Sequence, residues 1–257
     1  MIVCRSHAEL ERMRAAGRLV GEVLTALSAK VAVGVSTADL DAVAEQLIRA
    51  AGATPAFKGY NGYPATICAS INDEVIHGIP SKARVLKAGD IISIDVGAEL
   101  DGYFGDSAIT LPVGEVSDEA ARLLRVTEES LGKAIEVVRP GGRISDIGHA
   151  VQTHVEAAGF SVVREFVGHG IGQRMHEEPQ IPNYGEPGRG PRLAEGMVLA
   201  IEPMVNAGKP AVKVLSDGWT AVTRDRSLAA HFEHTVAVTA DGAWILTARE
   251  QPVAAGR

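Results

Sequence analysis

The chain has 257 residues, of which 46% are hydrophobic and 22% charged, with a net charge of −7. Such a chain buries its own core without cross-links, and it lacks the basic stripe that marks a nucleic-acid binder. Two cysteines, Cys4 and Cys68, are too few for a disulfide framework. Arg5 and Glu9 stand where a secretory signal would hold its apolar core, and no apolar run is long enough to span a membrane, so a cytoplasmic protein is expected.

The first predicted element is a helix over 7–30, with Leu10, Met13, Ala16, Val20 and Val23 at three- and four-residue spacings. A second helix is predicted over 37–51. Ser36 is its N-cap, Asp39 stands at the capping-box position and Gly52 is the stop. Strand-like apolar stretches follow. A third helix is predicted over 118–138 behind Ser117, with Asp118 and Glu119 in its first turn, where the helix dipole favours acids. Pro140, Gly141 and Gly142 end it, and a fourth helix is predicted over 145–158, closed by Gly159. The remainder reads as strands, interrupted by a Pro/Gly loop over 182–191.

That order suggests a duplication. At an offset of 107 residues, Gly34 meets Gly141, Asp39 meets Asp146, and Ala50-Ala51-Gly52 meets Ala157-Ala158-Gly159. The segment from Gly89 to Asp95 then falls on the segment from Gly196 to Glu202, so two carboxylates take equivalent places after the same apolar pattern. With about twenty inserted residues, Asp106 also falls near Glu233. The expected architecture is α+β: one domain over 1–257 made of two related helix-helix-strand halves, roughly 1–112 and 113–250. Helices would cover one side of a curved antiparallel sheet, with ligands from both halves meeting at its centre.

The chemistry is carried by carboxylates in apolar strands. Asp95 follows Ile91-Ile92-Ser93-Ile94, and Asp101-Gly102 marks the turn of a hairpin that brings Asp106 beside it. A lone strand-end aspartate commonly caps a turn or faces water. Two in one apolar sheet repel each other and need a cation or a shared proton. Glu202 follows Val198-Leu199-Ala200-Ile201, Glu233 lies in the strand-like run from His231 to Val236, and His169 sits among glycines in Gly168-His169-Gly170-Ile171-Gly172. Four carboxylates and one imidazole suit two divalent cations held by bridging carboxylates. His77 and His176 lie in loop-like motifs and are of the right type to bond a reacting amide. His176-Glu177 lacks the second histidine of the HExxH zinc motif, since residue 180 is Gln. The glycine-rich stretch at 168–172 does not continue as a nucleotide-binding loop. His7, His149 and His154 read as surface residues. His234 points away from Glu233, whereas His231 shares its face and stands near the site.

These residues resemble the type I methionine aminopeptidases, metallopeptidases of the pita-bread fold. The similarity covers nearly the whole chain. It rests on Tyr60-Asn61-Gly62-Tyr63-Pro64, the segment from Asn72 to Pro80, Asp95-Val96-Gly97, Gly105-Asp106, Gly168 to Gly172, His176-Glu177-Glu178-Pro179, Ile201-Glu202-Pro203 and Glu233-His234-Thr235. The ligand spacings of 11, 63, 33 and 31 leave no room for the helical insertion of type II members. The resemblance implies removal of N-terminal methionine from nascent proteins and peptides, preferentially before a small second residue. One divalent metal (Co, Mn, Fe or Zn) would be held by Asp106, His169, Glu202 and Glu233, and a second by Asp95 with the bridging Asp106 and Glu233. A hydroxide between them would attack the first peptide bond. Glu202 would shuttle its proton, His77 would bond the scissile nitrogen and His176 the developing oxyanion.

By the same resemblance, Tyr60, Tyr63, Cys68, Met175 and Trp219, with His77 and His176, would line the methionine pocket. Many relatives carry an aromatic residue in place of Met175 and a cysteine in place of Phe57. A monomer is expected, with transient ribosome association fitting a nascent-chain enzyme. Two competing readings are a prolidase or X-Pro aminopeptidase, which would need an additional N-terminal domain ahead of Asp95, and a metal-free binding protein, which would have broken ligands.

Overall fold

A computed structural model describes residues 1–249. Residue 250, the expected end of the second half, and the rest of the expected 1–257 domain lie outside the described residues. Four helices form where the capping residues place them: α1 (His7–Ser28), α2 (Thr37–Ala50), α3 (Asp118–Glu136) and α4 (Ile144–Ala157). Ser6 and Glu9 close a capping box on α1, and Ser36 and Asp39 do the same on α2. Ser117 Oγ accepts from the Ala120 amide to start α3. Asp146 compensates for the arginine at the α4 cap by accepting from the Arg143 amide at 2.8 Å.

Among the described residues the strands pair antiparallel throughout, as expected, and their hydrogen bonds group them into four ladders. The first contains the long hairpin Ile91–Leu100 and Tyr103–Pro112, with Ile67–Ile71 and Thr54–Pro55 paired along the far edge of Ile91–Leu100. Its turn is Asp101-Gly102, with φ of 50° and 80°, the doubly left-handed backbone that matches hairpin twist. The second runs in the order Gly242–Ile245, His234–Thr239, Val198–Ile201, Gly168–Gly170 and Glu177–Ile181. Two three-stranded ladders complete the set. One joins Ala229–His231, Met204–Asn206 and Ser161–Val162; the other joins Val212–Val214, Ala221–Thr223 and Glu74–Ile76.

The two large ladders meet at a seam held by side-chain hydroxyls and one backbone bond. Thr235 Oγ1 accepts from the Asp106 amide at 3.1 Å and donates to the Asp106 carbonyl at 2.8 Å. Ser107 Oγ donates to the Glu233 carbonyl at 2.6 Å, and the Glu233 amide donates to the Ala108 carbonyl at 2.9 Å. The chain departs from ladder geometry here because two sheets converge, and the hydroxyls satisfy the backbone groups left over.

The helices pack on one continuous apolar layer. Val20 and Leu24 of α1, Leu123 of α3 and Ile147 of α4 join Ile92, Ile94, Leu199 and Val236 from the strands. Each such fully buried side chain contributes about 1.5–3 kcal/mol relative to exposure. α1 lies very close to the hairpin: a Cβ on Gly105 would stand 2.8 Å from the Gly17 amide nitrogen, so only glycine permits the approach.

Candidate metal centre

Asp95 and Asp106 come from the two arms of the hairpin. Asp95 pairs with Ala108 and Asp106 with Gly97, which puts both carboxylates on one face as diagonal neighbours. Glu202 follows directly on Val198–Ile201. His169 is central in Gly168–Gly170, opposite Ala200, and both flanking glycines lie where a Cβ would meet a neighbouring carbonyl. Glu233 corrects the sequence expectation. It is not within a strand but in the break between Ala229–His231 and His234–Thr239, where the chain passes from one ladder to another. That break turns its side chain into the site.

Single ligand atoms of Asp106, His169 and Glu233 all lie within 4.8 Å of one another. His169 Nε2 is 3.9 Å from Asp106 Oδ2 and 3.7 Å from Glu202 Oε1. His169 Nδ1 donates to the Gly170 carbonyl at 2.9 Å, which leaves the Nε2 lone pair for the carboxylate side. Asp95 and Glu202 line the same cavity.

The electrostatics state what this cluster needs. Burial lifts the Asp95 carboxyl to about 7. Burial, then the charges of Glu233 and Asp95, push Asp106 well above the carboxylate range; Glu202 and Glu233 are raised by burial and by the neighbouring acids. Asp95 Oδ1, Asp106 Oδ1 and Glu233 Oε1 are buried without a hydrogen-bond partner. Four acids so placed must hold protons or cations. Burial, then His176, lowers His169 to about 4, so its imidazole is neutral at physiological pH, as a ligand must be. Orphaned carboxylate oxygens around a neutral imidazole fit a divalent cation of borderline hardness.

The cluster lines a cavity of about 240 Å³. Phe57, Tyr60, Tyr63, Cys68, Met175 and Trp219 line the same cavity, and Cys68 lies directly across the ladder from Asp95. The Tyr63 and Trp219 rings meet edge-on at 5.1 Å, and burial raises the Cys68 thiol, keeping it neutral. Phe57 and Met175 close on the backbone at Gly97, where a Cβ would lie 2.8 Å from Phe57 Cε1 and 3.3 Å from Met175 Cε. Phe57 lines the cavity itself, although the sequence marked it only as a departure from relatives. Asn61, quoted only within its motif, lines the cavity too.

His77 and His176 are at the same cavity. His77 has a φ of 60°, and burial, then His176, lowers it to about 4. His176 Nδ1 is 2.9 Å from the Tyr60 hydroxyl, its ring lies 4.1 Å from that of His169, and burial lowers its pKa. The other histidines fall where expected. His234 bonds Thr247 Oγ1 at 2.9 Å, His154 meets Glu129 at the surface, and His7 and His149 are exposed. Glu177 is taken up by a buried ion pair with Arg5 at 2.6 Å, which explains the incomplete zinc-type motif. No helix among the described residues is long and apolar enough to cross a membrane.

Comparison with known proteins places this geometry. Methionine aminopeptidase 1 of Bacillus subtilis is 58% identical over 247 residues, covering 96% of this chain and 99% of that one. The crystal structure of a methionine aminopeptidase from Thermotoga maritima superposes with a TM-score of 0.95 at 48% identity, covering 97% of this chain and 100% of that chain. A prolidase from Pyrococcus horikoshii shares the pita-bread fold, with a TM-score of 0.76 at 24% identity; the match covers 98% of this chain but 65% of that one. The model of metallopeptidase family M24 matches residues 11–240, a span that takes in all five residues of the acidic cluster. The chain belongs to metallopeptidase family M24.

Proposed function

We propose that the protein is a methionine aminopeptidase, hydrolysing the first peptide bond of peptides and nascent proteins that begin with methionine, preferentially before a small second residue. The observation that carries this reading is one cavity lined both by the acidic, histidine-bearing cluster and by aromatic and sulfur side chains. An unbranched thioether suits such a polarizable lining.

In this reading Asp106, His169, Glu202 and Glu233 would hold one divalent cation, and Asp95, Asp106 and Glu233 would hold a second; Co, Mn, Fe and Zn all suit the donor set. Bound there, such cations would supply Lewis acidity, offsetting the carboxylate charge and acidifying a water. Glu202 takes a proton at its carboxyl and passes it to the leaving amine. With Tyr60 engaging Nδ1 of His176, the Nε2–H remains to donate to the carbonyl oxygen as negative charge develops. His77 bonds the scissile nitrogen, and Tyr60, Tyr63, Cys68, Met175 and Trp219, joined by Phe57, hold the methionine side chain. The prolidase reading is less well supported: the Pyrococcus horikoshii prolidase is 24% identical, whereas methionine aminopeptidase 1 of Bacillus subtilis is 58% identical.

The test is release of methionine from Met-Ala-Ser by the purified full chain. Chelation should abolish turnover and a divalent cation should restore it. Absence of turnover with each of Co²⁺, Mn²⁺, Fe²⁺ and Zn²⁺ overturns the proposal.

A further inference from the structure

Resting on the reading of Glu202 as the proton carrier, we infer that His231 is a positioning residue for it: the His231 imidazole donates from Nε2 to Glu202 Oε2 and so fixes which carboxylate oxygen faces His169. His231 is 2% exposed and is not among the residues lining the cavity, so it acts through Glu202 rather than on substrate. Its Nε2 is buried without a hydrogen-bond partner, and it lies 3.7 Å from Glu202 Oε2. The other oxygen, Oε1, lies 3.7 Å from His169 Nε2. The carboxylate is therefore flanked by two imidazoles, one per oxygen and each at 3.7 Å, and Oε2 is the carboxylate oxygen that faces the unpartnered Nε2 of His231.

Both backbones are pinned. The His231 amide donates to Thr110 Oγ1 at 2.9 Å, and the same hydroxyl donates to the His231 carbonyl at 2.8 Å while meeting Ser93 Oγ at 2.8 Å. One threonine on the hairpin thus clamps both polar groups of His231. On the other side, Asn183 Nδ2 donates to the Glu202 carbonyl at 2.9 Å. These bonds tie the backbones of both residues, so a donor at His231 Nε2 acts on the Glu202 side-chain torsions. Second partners of this kind hold reactive carboxylates to one orientation.

The test compares wild type, H231A, H231Q and H231N as full-length, metal-loaded protein on Met-Ala-Ser. H231A should lower kcat by about 10–100-fold, the usual loss for an outer-shell partner, with KM and metal stoichiometry unchanged. H231Q returns a donor to nearly the same point and should recover most of the loss, whereas the shorter amide of H231N should not. If H231A fails to fold, the comparison of H231Q with H231N carries the test. An independent readout is ¹⁵N-histidine NMR of the metal-free and zinc-loaded protein, where the His231 resonance, assigned by its loss in H231Q, should report the Nε2–H tautomer.

Wild-type kcat in H231A, equal rates in H231Q and H231N, loss of metal stoichiometry in H231A, or an Nδ1–H tautomer would each overturn the inference. If the wild type itself cleaves no peptide, the functional reading fails, and the tautomer still decides the contact between His231 and Glu202.

Discussion

A carboxylate buried among other carboxylates carries its own pH signature. Asp95, at about 7 in the folded chain, has an ordinary value of 3.8. A group whose native pKa lies above its unfolded value adds stability that is complete below the unfolded pKa and is lost as pH rises through the native one. Metal-free protein should therefore lose this contribution between about pH 4 and 7, with Asp106, Glu202 and Glu233 acting in the same direction. The buried histidines work oppositely. His77, lowered to about 4 from 6.5, and His234, lowered to about 3, stabilise above pH 6.5, and that contribution is lost as pH falls. They are present in metal-free and metal-loaded protein alike, so the difference between the two forms isolates the carboxylates. The gain in melting temperature on adding metal should be small at pH 5 and grow steadily to pH 8, because metal must displace protons from its ligands. Melts of chelated and reloaded protein across that range check it; a gain independent of pH would mean that the metal-free cluster holds no extra protons.

At the scale of elements, the loop over 172–177 shows how a distant segment holds the site. Arg5, ahead of α1, meets both oxygens of Glu177 at 2.6 Å, and the side chains of both are 6% exposed. Glu177 also accepts from the Gln173 and Arg174 amides at 3.0 and 3.2 Å, which fixes the loop that carries Met175 and His176 to the cavity. Removing one partner leaves a buried charge, at a cost of about 3–5 kcal/mol, whereas replacing both with apolar residues avoids that cost. R5M and E177M should each be far less stable in urea melts than the R5M/E177M double variant, and a double variant as unstable as the sum of the singles would refute the coupling. Neither partner was legible in sequence, where Arg5 read only as an interruption and Glu177 as part of a failed motif, because an ion pair 172 residues apart leaves no periodic trace. The starts of α2 and α3 were legible because Ser36 and Ser117 sit within three residues of the amides they cap. The convergence of the carboxylates was legible because they are out of place after apolar runs such as Ile91–Ile94. The break at Glu233 was hidden: residues 231–236 keep an unbroken strand-like composition while the backbone changes ladders.

Across the whole molecule, the cluster straddles the seam. Asp95 and Asp106 come from the hairpin ladder, while His169 and Glu202 come from the five-stranded ladder and Glu233 from the crossing between ladders. In the proposed reading, cations held by both sides would tie the two ladders together, and ligand binding to the folded state alone adds about 2.7 kcal/mol at a concentration of 100 Kd. The reverse also holds: whatever aligns the ladders sets metal affinity. Thr235 is the link that reaches Asp106 itself, since its hydroxyl satisfies both backbone groups of that residue. T235V keeps the volume and removes the hydroxyl, leaving a buried amide and carbonyl unpaired at a cost of about 1–3 kcal/mol each. The variant should melt lower and bind metal about 10-fold more weakly, the scale seen when an outer-shell partner is lost. T235S, which keeps the hydroxyl, should retain most of the affinity while losing only methyl packing. Competition with a chromophoric chelator measures the affinity of all three proteins. T235V binding metal as tightly as wild type, despite a lower melting temperature, would separate the seam from the site and place the alignment of Asp106 in the hairpin alone.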